Sequence, residues 1–156
     1  MIGNIRLVIS MTTDLEVDRV GIPIYAVAKQ RKGAISHIVS ELLTVLQKEG
    51  DKSLTRDVCK AIREKDKVRL TKLFIENGLS NKISVNDFLN LVCDRYNKID
   101  TPFVSLVNRQ PTLWKHGLTA MFEQAHTGET LKIHPIYATA FNADNDGDEM
   151  AVYCLS

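Results

Sequence analysis

Phe141-Asn142-Ala143-Asp144-Asn145-Asp146-Gly147-Asp148 places three carboxylates at alternate positions in a stretch too short to spread them. Carboxylates held this close repel one another, and a shared cation relieves that repulsion. An all-oxygen donor set selects a hard divalent ion: Mg²⁺ first, Mn²⁺ as a substitute, Ca²⁺ behind them. Gly147 leaves the backbone room to turn between the second and third aspartates. Two other readings stay open from these residues alone. Asp and Asn hydrogen-bond their own backbone, so acidic turns also arise for local reasons. A calcium loop of the EF-hand type would take Asn142 as its first ligand, Asp144 as third and Asp146 as fifth. Its twelfth position is then Tyr153, which offers no bidentate carboxylate.

Outward from this loop the pattern is β. Met150-Ala151-Val152-Tyr153-Cys154-Leu155 follows it. Before it come Phe103–Val107, a run over Leu118–Ala125, a turn at Thr127-Gly128-Glu129 and then Leu131-Lys132-Ile133-His134. The N-terminus is also β-rich. Ile5–Ile9 reads as one strand and Leu15–Val20 as a second, alternating with period 2; Thr12-Thr13-Asp14 turns between them and Gly21-Ile22-Pro23 ends the run.

The middle changes period. Apolar residues at 35, 38, 39, 42, 43 and 46 mark one helical face closed by Gly50. Ser53 is read as the cap of a second helix carrying Leu54, Val58, Cys59 and Ile62. A third helix runs from about Val68 to Asn77 and stops at Gly78. A fourth opens at Ser84 with Asp87 three residues on, and carries Val85, Phe88, Leu89, Val92 and Tyr96. Strands, a helical block, then strands again is the order of a helical insertion inside a β unit, and the fold class expected is α+β. The β halves are placed at residues 1–23 and 102–156 and the helical insertion at 24–101.

Composition narrows the function classes. Hydrophobic residues make up 44% and charged residues 25%, ordinary values for a soluble globular chain. The net charge of +1, with no basic run, gives the chain alone no strong electrostatic footprint for nucleic acid. Cys59, Cys93 and Cys154 are scattered and odd in number, so neither a disulfide framework nor a zinc site is expected. No apolar stretch approaches a membrane span and no signal-peptide pattern opens the chain; no membrane partner and a cytoplasmic location are expected. His37, His116 and His126 show no ligand spacing.

A second signal precedes the acidic loop. In Asn108-Arg109-Gln110-Pro111-Thr112-Leu113, an arginine stands beside a proline-stiffened turn, a natural holder of phosphate or ribose oxygens. Val107-Asn108-Arg109-Gln110-Pro111-Thr112-Leu113, then His134-Pro135, then Phe141 through Val152 together resemble the catalytic segment of the largest (β′-type) subunit of multisubunit DNA-directed RNA polymerases. That family carries N-R-x-P-T-L-H, H-P and N-A-D-F-D-G-D-x-M in this order. Gly3–Ile9 and Val20-Gly21-Ile22-Pro23 are similar to its opening barrel strand and the G-[LI]-P after it. The strong match covers roughly residues 104–156, with weaker similarity over 3–23.

The resemblance implies a double-psi β-barrel interrupted by helices, with Asp144, Asp146 and Asp148 holding the Mg²⁺ of nucleotidyl transfer. It implies two-metal phosphoryl transfer to the RNA 3′ end. It gives Arg109 and Asn142 a place near the ribose hydroxyls, where a site built to bond a hydroxyl rejects a sugar lacking it. Pro111 and Thr112 shape the turn. The implied partners are a β-type subunit, the remaining largest-subunit segments, DNA template, RNA product and nucleoside triphosphates.

Several residues depart from the family pattern. Asn145 stands where the family has Phe, and Trp114 where it has His. Gln110 is the archaeal and eukaryotic choice, whereas His134-Pro135 and Met150-Ala151-Val152 look bacterial. Such a mixture is expected of a divergent enzyme from a phage or large DNA virus, acting in the host cytoplasm. Bridge helix, trigger loop, clamp and β-type barrel are absent from these 156 residues. The expectation is a piece of an active site, inactive alone; the alternative is a stand-alone double-psi barrel binding metal or nucleic acid without catalysis.

Overall fold

The computed structural model describes residues 3–47, 52–109, 118–140 and 149–154. Its strands are β1 (Gly3–Met11), β2 (Arg19–Pro23), β3 (Val104–Arg109), β4 (Leu118–His126), β5 (Leu131–Ile133) and β6 (Glu149–Cys154). They close into a barrel in the order β1-β5-β2-β4-β3-β6, with β6 returning to β1 from Gly3↔Cys154 to Val8↔Glu149. Two pairings are parallel, β1 with β5 and β2 with β4; the others are antiparallel. Each of the six described strands pairs with a neighbour on either side. Leu7 and Ile9, Met121, Glu123 and Ala125, and Leu131 and Ile133 are buried at alternate positions, so each strand turns one face inward. The α+β expectation with a barrel holds.

The helices are α1 (Ile24–Gln30), α2 (Lys32–Gln47), α3 (Lys52–Arg63), α4 (Lys67–Glu76), α5 (Val85–Asn97) and α6 (Pro135–Ala140). Contacts divide the chain into one unit of Met1–Pro23 with Ile99–Ser156 and a second of Ile24–Lys98. The second unit packs α1 to α5 on buried apolar faces. Ile35, Val39 and Leu43 come from α2, Val58 and Ile62 from α3, and the rings of Phe74 and Phe88 meet edge to face at 5.1 Å. Two of its helix ends follow the sequence signals. Ser84 accepts from the Asp87 N–H at 3.1 Å and caps α5; Gly78 takes φ 72° just past α4, where a side chain would be strained. Asp66 caps α4 by accepting from the Arg69 N–H at 3.0 Å.

Four expectations need correction. Residues 15–18 are turn rather than strand, because the Arg19 N–H bonds back to the Glu16 carbonyl at 3.1 Å and β2 starts only at Arg19. Gly21-Ile22-Pro23 does not end the strand but forms most of it, pairing in parallel with Gln124, Ala125 and His126. Ser53 lies inside the first turn of α3, which begins at Lys52, so it is not the residue outside the helix that a cap must be. Helix α6 lies where none was expected, and α1 opens the expected helical insertion without having been singled out as a helix. Gly50 falls outside the described residues.

Gly21 is required by approach rather than by backbone angle. A Cβ there would stand 2.9 Å from Lys132 Cβ and 3.2 Å from His126 Cδ2, at the register pair that joins β2 to β5.

Candidate functional site

β3 and β6 are antiparallel neighbours, with Asn108 opposite Ala151 and Arg109 opposite Met150. Met150 follows Asp148 by two residues in the sequence, so the arginine motif and the acidic motif are anchored on paired strand ends. Asn108 also pairs with Leu118, which makes residues 110–117 the connection between β3 and β4. β3 thus ends, and β6 begins, beside one another, at the positions next to which the two motifs stand in the sequence.

On the other side of the acidic segment in the sequence stands α6. Pro135 occupies the first helical position, where its missing N–H costs nothing. His134 precedes it and caps the turn twice: its Nδ1 accepts from the Ile136 N–H at 3.2 Å, and its carbonyl accepts from the Tyr137 N–H at 2.9 Å. The His-Pro pair thus has a local structural role, starting the short helix that leads into residue 141.

Asn142, Asp144, Asp146, Gly147 and Asp148 lie outside the described residues, as do Pro111 and Thr112. So do Gln110, Trp114, His116 and Asn145. Arg109 is placed by its strand pairing. Among the described residues no group of three or more His, Cys, Asp or Glu is arranged to hold a metal ion. The EF-hand alternative loses its geometry, because residues 149–154 form β6 where a second helix would have to begin.

The barrel interior holds a polar set that the sequence reading did not single out. Glu123, 2% exposed, accepts a hydrogen bond from Ser105 Oγ, which lies 3.7 Å from Cys154 Sγ. Ser105 pairs across β3–β6 with Cys154 and across β3–β4 with Met121, two residues before Glu123 on the same strand. A buried carboxylate without partners would be costly, and the serine supplies a donor. The signal was visible as a lone charge at an inward position of the Met121-x-Glu123-x-Ala125 alternation.

Near the Gly21 crossing, His126 Nδ1 accepts from the Gly128 N–H at 2.9 Å. Burial pushes the imidazole's pKa below its ordinary value and Lys132 pushes it further, while backbone groups of Thr130 and Gly21 pull the other way.

The family described as RNA polymerase Rpb1, domain 2, matches residues 4–156. The β′ subunit of DNA-directed RNA polymerase from Malacoplasma penetrans is 30% identical over 149 residues, covering 95% of this chain and 10% of that protein. The β′ subunit from Kineococcus radiotolerans is 41% identical over 78 residues, 50% of this chain and 6% of its own length. That from Clostridium botulinum is 36% identical over 87 residues, with shares of 53% and 7%. The chain therefore spans a tenth or less of these relatives.

Proposed function

The chain belongs to the RNA polymerase Rpb1 domain 2 family, and from that membership we propose that its barrel is the metal-holding part of a DNA-directed RNA polymerase catalytic centre. The observation that carries the proposal is the pairing of Arg109 with Met150, which ties the two sequence motifs to adjacent strand ends. The strands then form a double-psi barrel, and α1 to α5 are an insertion between its halves.

Asp144, Asp146 and Asp148 are the ligands of a Mg²⁺ ion, with Mn²⁺ as substitute. Three carboxylates and no sulfur or imidazole make a donor set that fits a hard ion and not zinc. When bound, the ion activates the RNA 3′-hydroxyl and neutralises charge at the phosphate. Asn142 and Arg109 bond the ribose hydroxyls, which selects ribonucleotides because a deoxy sugar leaves them unpaired. Pro111 and Thr112 hold the turn that follows Arg109, and Gly147 lets the aspartates converge.

Three clustered carboxylates cannot neutralise a triphosphate, which needs positive charge beside the metal loop. A β-type subunit and the rest of a largest subunit supply that charge and the channel for DNA template, RNA product and nucleoside triphosphates. The assembled enzyme works in the cytoplasm, that of the host for a phage or viral chain. Among the described residues no helix is long and apolar enough to cross a membrane.

The test is a Mn²⁺ titration of the full chain, followed by the electron paramagnetic resonance of free Mn²⁺. Asp146→Asn is expected to weaken binding at least about tenfold, since one of three charged ligands becomes neutral. Equal affinity in the two proteins overturns the ligand assignment. RNA synthesis on a primed template by the chain alone would overturn the reading that it is only part of a centre.

A further inference from the structure

Cations far apart in the sequence meet in one groove of the helical unit. Lys32 opens α2, and Lys52, Arg56 and Arg63 follow one another along a single face of α3. All four line a cavity of about 560 Å³ whose walls come from these two helices. Among the described residues no carboxylate lines it: Asp57, the acidic residue of α3, is not part of the wall. Among the described residues none of the four cations is in an ion pair. Four cations gathered among the described residues of one groove, in a chain of net +1, make a local field suited to an anion.

The remaining wall defines that anion. Ser36, Ser40 and Thr55 bring hydroxyls, and Gly33 and Cys59 complete it. The wall has no aromatic ring on which a base could stack and no large aliphatic side chain to anchor a protein partner. Lysine, arginine and small hydroxyls are the groups that contact phosphate oxygens. From Lys52 to Arg63 the helix rises about 16 Å, at ~1.5 Å per residue, a stretch to be matched by a row of phosphates along a chain.

We propose that the groove between α2 and α3 binds the phosphate backbone of a polynucleotide without reading its sequence. This site lies on the helical unit and does not rest on the metal loop, so the two assignments fail separately.

The experiment uses the full chain and a fluorescein-labelled single-stranded RNA of about 20 nucleotides, followed by anisotropy without added divalent metal. Four phosphate contacts give a salt slope near −2.8, so affinity is expected to fall about 50-fold between 50 mM and 200 mM salt. Lys52→Gln/Arg56→Gln removes two contacts; its slope is expected to drop by about 1.4 and its affinity about 25-fold near 100 mM salt. Both side chains are exposed, and Lys32→Gln, on the other helix, provides an independent loss of about fivefold. Undiminished binding in both groove variants overturns the proposal. So does competition by inorganic tripolyphosphate as effective, per phosphate, as unlabelled RNA, which would make the ligand a free polyphosphate. Equal competition by polyglutamate would make it an acidic protein segment and overturn the proposal likewise.

Discussion

Gly21→Ala tests whether the barrel closes as described. The new methyl carbon would lie 2.9 Å from Lys132 Cβ and 3.2 Å from His126 Cδ2, against a comfortable carbon–carbon separation of about 3.5–4.0 Å. Lys132 Cβ is fixed to its strand and cannot rotate away, so β2 and β5 must separate at Gly21↔Lys132, their recorded register pair. Overpacking of this kind costs about 1–3 kcal/mol. Replacing glycine also stiffens the unfolded chain, which returns about 0.4–1 kcal/mol. At the centres of these ranges the net loss is about 1.3 kcal/mol, and at about 2–4 °C per kcal/mol the calorimetric Tm is expected to fall by about 3–5 °C. Lys132→Gly removes the opposing Cβ. Gly21→Ala/Lys132→Gly should therefore be more stable than the sum of the single losses, a coupling that only contact between the two sites produces. A Tm for Gly21→Ala within about 1 °C of the parent, or strictly additive losses, would refute the close crossing.

Two further outcomes follow from the barrel's polar groups. Ser105→Ala strips the buried Glu123 carboxylate of a donor and should cost about 1.5–3 kcal/mol in urea unfolding, with Ser105→Thr recovering much of it; an unchanged midpoint would contradict the bond. His126 titrates below its ordinary value because of burial and then Lys132, so the unfolded chain takes up this proton first as pH falls. Its contribution to stability is complete above the unfolded value of about 6.5 and is lost as pH falls from there towards the folded value. The Tm should drop between about pH 7.5 and 5, and His126→Gln should flatten part of that drop; superimposable pH profiles would show that another group is responsible.

The elements that could be read from sequence are those whose cause is local. β3, β4 and β6 alternate β-favouring residues, and α4 and α5 begin at Asp66 and Ser84, whose side chains bond the first free N–H groups of each helix. What escaped was decided at longer range. Ile24–Gln30 has no capping signal and buries Ile24, Ala26, Val27 and Ala28, too continuous an apolar surface for one helical stripe to stand out. Gly21 looked like the end of a strand because its reason is Lys132, more than a hundred residues away. The candidate site divides in the same way. The spacing of Asp144, Asp146 and Asp148 and the Arg109 motif are visible as chemistry in a line of text, while their anchoring on neighbouring strands required the β3–β6 register.

Charge shows most clearly how a linear reading goes astray. A net of +1 without a basic run argues against a polyanion site only if charges near in sequence are also near in space. Lys32 is separated from Lys52 by a whole helix, and Arg56 and Arg63 are spaced by seven residues with Asp57 between them, so no run of consecutive cations marks the groove. Antiparallel packing is not needed to see the consequence: residues four and seven apart share a helical face, and one lysine from α2 facing the same cavity completes a field that the acids elsewhere cancel only in the total. The quantity that governs phosphate binding is the number of contacts, through the salt slope, and not the net charge. A slope near −3 from a nearly neutral chain is therefore the measurement in which the folded arrangement and the composition make opposite forecasts.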